Sequence, residues 1–287
     1  MRSRSLKIHG LKQRVYSWGS PRRPMLFMVH GWLDTGAGFD FLAASLARDF
    51  HCIAPDMRGF GQSEHAKSPL GYFFYEYVAD LHRLFAELSP KKPVRVLGHS
   101  LGGMVASIYA GSLPERVSHL VNVEGYLSPA RKVETAPERA RAWVEGLGRK
   151  RFRVFTSLEA LAARLRASNP RLPADRSLFL AKHLAKRTRG GWILAADPNH
   201  KLIEPYWLPR EAHFAVWEKI QARCLLVSAE KTEMALRFGA ADFAAEKAML
   251  EGKFPPGSVK AEIPDCGHMA HHEKPKALAR LVFDFLN

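Results

Sequence analysis

The chain predicts an α/β protein: a mostly parallel sheet covered by helices on both faces. Three observations carry that reading. Short, continuously apolar runs such as Met25 to Val29 have the composition of strands buried on both sides. They alternate with helix-like segments along most of the 287 residues. One strand run, Val94 to Leu97, meets a Gly98-His99-Ser100-Leu101-Gly102 corner and then a helix-like run from Met104 to Ala110.

In order, Leu6 to His9 and Arg14 to Trp18 read as opening strands, the second alternating. A Pro21-Arg22-Arg23-Pro24 turn leads into Met25 to Val29, which ends in His30-Gly31-Trp32-Leu33-Asp34. Phe39 to Ala47 has an amphipathic helical pattern. His51 to Ala54 is a strand ending in Asp56-Met57-Arg58-Gly59-Phe60-Gly61-Gln62-Ser63, and Tyr75 to Leu88 is a helix. Leu113-Pro114-Glu115-Arg116 stops the helix after the corner, and Val117 to Val123 is again a strand. Over residues 127–210 strand signals fade into basic, proline-punctuated helical segments. Cys224 to Ser228 and Val259 to Ile263 resume the strands, and a last helix runs from Pro275 to Phe285. The expected division is a core of residues 1–126 and 211–287, with 127–210 inserted as a helical cap above the carboxyl edge of the sheet.

The corner is where chemistry is expected. Glycines two residues before and two after Ser100 let the backbone fold back where side chains would collide. Such a turn thrusts Oγ out at the sheet edge, and the N–H of Leu101 then lies beside it at a helix N-terminus, placed to donate to an oxyanion. A serine nucleophile needs a base, and His268 stands out among 13 histidines, between the last strand and the last helix. His271 and His272 are read as surface residues or supports behind the base, His99 as packed beneath the corner and His30 as shaping the loop that carries Trp32.

Composition bounds the remainder. Residues 131–190 hold 16 Lys+Arg against 5 Asp+Glu, a large share of the formal +15. That stretch is either a solvated face or an attractor for an anionic substrate or lipid surface. No nucleic-acid motif accompanies it, so nucleic acid is not an expected partner. Met1 to Gly19 is basic and lacks a signal-peptide apolar run, no segment has the ~20 apolar residues of a membrane span, and the three cysteines are scattered. A cytosolic protein with reduced thiols is expected. No metal or organic cofactor is implied, and oligomeric state is left open.

His30-Gly31-Trp32, Asp56 to Ser63, Gly98 to Gly103, the interlude, and Asp265-Cys266-Gly267-His268 with Glu273-Lys274-Pro275 stand in the order found in the α/β-hydrolase superfamily. Over nearly its whole length the chain resembles the capped branch shared with epoxide hydrolases and haloalkane dehalogenases, and within the superfamily the serine-hydrolase-like proteins. The resemblance implies an eight-stranded, mostly parallel sheet with a cap after the sixth strand. Those capped enzymes carry aspartate as nucleophile; Ser100 here argues against an alkyl-enzyme and for acyl transfer. The family order of serine, acid and histidine implies His268 as base and Trp32 and Leu101 as oxyanion donors. The acid most often follows the strand that here is Cys224 to Ser228, but Thr232 stands at its place. Some members carry it after the preceding strand, where Glu124 stands; Glu124 is the favoured acid, with Glu230 and Glu233 as alternatives. The expected activity is hydrolysis of a carboxylic ester or thioester with an apolar acyl part, in a pocket lined by Trp143, Phe152, Phe155, Trp192 and Trp207. Cleavage of an amide, lactone or carbon–carbon bond, and a silent ligand receptor on the same fold, remain open.

Overall fold

Period-two burial in the central strands sets the architecture. In β3 (Met25–Val29), Leu26 and Met28 enter one core while Phe27 and Val29 enter the other. β5 (Val94–His99) sends Val96 to one side and Leu97 to the other; β6 (Val117–Val123) divides Leu120 from Val121 and Val123. Strands apolar on both faces are stable only between two helical layers. The computed structural model describes residues 1–126, 135–205, 209–234 and 243–287.

The main sheet has eight strands in the order β1-β2-β4-β3-β5-β6-β9-β10. β1 (Arg2–Ile8), β2 (Leu11–Trp18) and β4 (His51–Pro55) pair antiparallel in turn. From β4 through β3, β5, β6, β9 (Arg223–Ala229) and β10 (Val259–Ile263) the pairing is parallel. α2 (Phe74–Leu88) and α3 (Leu101–Ser112) contribute to one core, and α1 (Asp40–Leu46) and the C-terminal helix Pro275–Leu286 to the other. The C-terminal helix buries Leu278, Val282 and Phe285, the i, i+4, i+7 stripe of a helix packed on one side.

Between β6 and β9 come α4 (Ala136–Gly146), α5 (Leu158–Ser168), α6 (Ala174–Leu184) and α7 (Arg210–Trp217). The sequence predicts a helical interlude, and the structure departs from that. β7 (Ala185–Thr188) and β8 (Gly191–Leu194) form an antiparallel hairpin, bridged by Phe155 to Trp192. Four-residue strands are too short to show alternation, which is why the sequence hid them. Small apolar clusters around Leu161 and Ala181, and around Leu172, Leu180 and Leu184, hold the segment together.

α8 (Phe243–Glu251) lies between β9 and β10, and the one-turn α9 (Ala270–Glu273) precedes the C-terminal helix, α10. Among the described residues no helix is long and apolar enough to cross a membrane. The loops leaving β3, β5, β6, β9 and β10 all open at the carboxyl edge of the parallel strands, where α/β sheets place their ligands.

Candidate active site

Ser100 sits between β5 and α3 with φ 52° and ψ −120°, a conformation that side-chain-bearing residues avoid. The reason it persists is steric. A Cβ on Gly98 would lie 2.4 Å from the carbonyl oxygen of Gly102, and one on Gly102 would lie 2.1 Å from that of Val29. Both gaps are too small for any side chain, so the sheet and helix close on the turn and hold Ser100 out at its tip. Ser100 N donates to Val123 O at 2.9 Å and thereby pins the turn to β6.

His268 reaches this tip from the loop after β10. Its Nε2 lies 3.0 Å from Ser100 Oγ, and its Nδ1 lies 3.1 Å from Glu124 Oε2. With the ring proton on Nδ1, the serine hydroxyl donates to Nε2 and Nδ1–H donates to the carboxylate, satisfying both contacts. Glu124 is buried, directly follows β6, and has φ 55°. Its backbone N–H donates to Val227 O at 2.9 Å, and its Oε1 accepts from Ala229 N at 2.9 Å. Its Oε2 also accepts from the Thr232 hydroxyl. Thr232, at the position where aspartate is commonest, therefore serves the carboxylate that arrives from the neighbouring strand.

The other two carboxylates have other partners, although Glu233 also lines the cavity that contains Ser100. Glu230 is exposed, receives Asp265 N at 2.8 Å and pairs with Lys231; Glu233 is exposed, 3.7 Å from Arg171. Ser100, His268 and Glu124 are brought together; Glu230 and Glu233 are not.

The loop after β3 closes the site from the opposite side. A Cβ on Gly31 would lie 3.1 Å from Ser100 Cβ, so the backbone leading to Trp32 passes directly beside the serine. His30 shapes this loop: Nδ1–H donates to Gly31 O at 2.7 Å and Nε2 accepts from Met57 N at 2.9 Å. Burial keeps its pKa below the ordinary value, as this acceptor role requires. Leu101 opens α3, and the first N–H groups of a helix lack intrahelical partners. His99 is buried beneath the turn and its Nε2–H donates to the carbonyl of His268 at 2.8 Å, fixing the His268 loop to the Ser100 turn. His271 and His272 are both buried, so neither is a surface residue.

Asp56 ties the next loop down, accepting from Gly36 N and Gln62 N, each at 2.7 Å. Arg58 is clamped by Asp80 through two bonds of 2.6 and 2.7 Å. These contacts explain why the Asp56 to Ser63 motif bears on the site without touching Ser100.

Two cavities meet at the exposed indole of Trp32, whose Nε1 donates to His200 O at 3.3 Å. One, of about 300 Å³, contains Ser100 and His268 and is walled by Leu165, Leu172, Leu180, Leu184 and Met269. The other, of about 570 Å³, is walled by Tyr72, Phe74, Tyr77 and Leu101, with Arg139, Lys201 and Glu204 among its polar groups. The aromatics expected in the pocket lie elsewhere. Trp143 donates to Leu70 O, Phe152 lies under the Lys201 ammonium, and Phe155 and Trp192 pack into the core beside the hairpin. None of these four lines either cavity, and Trp207 lies outside the described residues. For Phe155 and Trp192 the cause is simple: an inserted segment needs its own apolar core, and large aromatics are drawn into it. The wall is leucine-rich, and one leucine every few residues on α5 and α6 reads equally as core or cavity.

A hydroxyl, an imidazole and a buried carboxylate in hydrogen-bonded series, beside two candidate oxyanion donors, form the constellation of nucleophilic acyl transfer. Comparison with known proteins places the fold around it. The family described as alpha/beta hydrolase fold matches residues 24–275, and the chain belongs to it. The human serine hydrolase-like protein 2 is 26% identical, over 94% of this chain and 89% of its own. A 3-hydroxybutyrate-oligomer hydrolase from Cupriavidus necator is 29% identical, over 94% and 92%. Among solved structures, a thioesterase domain from the curacin biosynthetic pathway superposes with a TM-score of 0.87 at 25% identity, covering 99% of both chains.

Proposed function

We propose that this hydrolase-fold protein is a serine hydrolase that cleaves carboxylic esters or thioesters through an acyl-enzyme. The observation that carries the reading is the unbroken series Ser100 Oγ, His268 Nε2, His268 Nδ1 and Glu124 Oε2, with steps of 3.0 and 3.1 Å. His268 takes the Ser100 proton as Oγ attacks the carbonyl carbon. Glu124 holds the ring tautomer and offsets the imidazolium charge. The Trp32 and Leu101 N–H groups bind the oxyanion, and His268 returns its proton to the leaving group. Water, activated by the same imidazole, then releases the acid.

The leucine-walled cavity beside Ser100 supports an apolar substrate portion. Two relatives named for acyl chemistry, the oligomer hydrolase and the thioesterase domain, support ester or thioester over amide bonds. The segment between β6 and β9 acts in this reading as a cap, because α5 and α6 supply cavity walls. Three buried free cysteines fit a cytoplasmic protein. The test is fluorophosphonate labelling followed by a chain-length series of p-nitrophenyl esters and acyl thioesters. Labelling at Ser100 alone, lost with both activities in Ser100→Ala, is expected. An intact, unlabelled and inactive protein would point instead to a ligand receptor.

A further inference from the structure

Behind the base lies a second histidine cluster for which the acyl-transfer scheme has no use. Asp34 ends the loop that carries Trp32, and His271 and His272 are consecutive on α9. All three are buried. One ligand-capable atom from each lies within 4.8 Å of the other two. Asp34 Oδ2 is 2.9 Å from His271 Nε2 and 3.5 Å from His272 Nε2. We propose that Asp34, His271 and His272 bind a divalent transition-metal cation, Zn²⁺ foremost, and that its occupancy slows the chemistry at Ser100.

Three features support a ligand rather than a mere ion pair. First, His272 Nε2 is fully buried, is 3.5 Å from the carboxylate, and makes no hydrogen bond. Buried polar atoms are normally satisfied, and a Lewis acid would satisfy this one. Second, the spacing fits. Nitrogen and oxygen donors about 2.0–2.1 Å from a tetrahedral ion lie about 3.3–3.4 Å apart, and the two observed separations bracket that value. Third, the carboxylate is pre-aimed: Thr35 N donates to Asp34 Oδ1 at 2.8 Å, which leaves Oδ2 toward the imidazoles. Two imidazoles and one carboxylate select Zn²⁺, Co²⁺, Ni²⁺ or Cu²⁺ over Mg²⁺ or Ca²⁺. Asp34 and His272 also line the cavity that contains Ser100, which gives the ion an entry path and a water for its open position.

The coupling to catalysis follows from position and rests on the serine-hydrolase reading; the binding does not. The His99 ring bridges the cluster to the base, with centroids 4.4 Å from His271 and 4.8 Å from His268. A fixed dication there opposes the imidazolium that His268 must become.

The experiment uses tag-free protein dialysed against EDTA. Co²⁺ is titrated by its visible absorption and Zn²⁺ by calorimetry, and ester turnover is followed at each occupancy. One equivalent should bind, with turnover falling at least about tenfold and EDTA restoring it. His272→Leu leaves the Asp34–His271 bond in place; it should weaken binding about 100-fold, and the ratio of metal-free to metal-loaded turnover should collapse to one. Anomalous scattering from wild-type crystals soaked in Co²⁺ should place the ion between Asp34, His271 and His272, a readout that does not depend on the variant folding. No binding, or an ion held elsewhere, overturns the site. Binding with undiminished turnover overturns the coupling. A protein that binds Co²⁺ at this site yet hydrolyses no ester would refute the serine-hydrolase reading and leave the site standing.

Discussion

Thr232 donates its hydroxyl hydrogen to the same Oε2 of Glu124 that accepts from His268 Nδ1. A residue after β9 thus sits beside His268 while the charge comes from the end of β6. Since β6 and β9 are adjacent and parallel, residues leaving either strand reach one point at the sheet edge. The anion therefore has two possible origins, and Glu124 is the carboxylate that lies beside His268 in this chain.

Glu124→Gln keeps the shape and removes the charge. By analogy with the amide replacement in serine proteases, its kcat should fall by roughly 10²–10⁴ while the protein still folds and labels slowly. Glu230→Gln and Glu233→Gln, whose carboxylates pair with Lys231 and Arg171 rather than with His268, should stay within about tenfold of wild type. Near-full activity of Glu124→Gln in steady-state ester assays would show that the anion is not needed there.

The geometry also predicts that the anion can be moved. Thr232→Val, which strips one donor from Glu124, should lower kcat by roughly 3–30-fold with little change in KM, and Thr232→Ser should restore it. Thr232→Asp alone sets two carboxylates on one histidine and should be impaired. In the Glu124→Ala background the same substitution should recover at least about tenfold over Glu124→Ala. A double variant no better than Glu124→Ala would mean that residue 232 cannot present a charge to His268.

The parallel core was legible because its strands are short, apolar and bounded by turn residues; β3, β6 and β10 have the limits their sequences suggest. Ser100 and His268 were legible because their neighbours are constrained: Gly98 and Gly102 by contact, and the Asp265 to His268 run by its place between strand and helix. The choice among Glu124, Glu230 and Glu233 was legible only as a preference for Glu124, since all three are acidic residues just after strands. Only the direction of each side chain, set by the positive φ of Glu124 and by the bonds from Ala229 and Thr232, separates them. The hairpin β7–β8, α8 and the leucine wall were hidden for a related reason. Their residues have no periodicity that distinguishes a core face from a cavity face.

The basic stretch from 131 to 190 exposes many of its cations, including Arg149, Arg153, Arg164, Arg166, Lys186 and Arg187. If they attract an anionic substrate or lipid surface, raising ionic strength should weaken the effect, because the screening length falls from about 30 Å at 0.01 M to about 8 Å at 0.15 M. Turnover of a dicarboxylic half-ester, and binding to phosphatidylserine vesicles, should then drop over that range while a neutral ester of equal length is unaffected. Equal, salt-independent kinetics on both esters with no vesicle binding would make the stretch an ordinary solvated face.

Two buried histidines make a contribution to stability that acid removes, while the Asp56 and Glu204 carboxyls, which burial raises to about 7, act in the opposite direction. His200 is buried between the rings of Phe60 and Tyr72, with centroids 3.7 and 3.8 Å away, and burial pushes its pKa down to about 3. Burial does the same to His272, also to about 3, with the neighbouring His271 adding to it. Both are held neutral in the folded chain but take up a proton near the ordinary 6.5 when it unfolds. At these two groups the unfolded state binds more protons between about pH 3 and 6.5, and their contribution to stability falls as pH drops through that window. At pH 5 each group accounts for a loss of about 2 kcal/mol relative to neutral pH. Replacing His200 by phenylalanine retains the stacking and deletes one titration. Urea unfolding at pH 7.5 and 5.0 should show a pH-dependent loss about 2 kcal/mol smaller in His200→Phe than in wild type. Equal losses in the two proteins would mean that His200 is protonated as readily in the folded chain as in water.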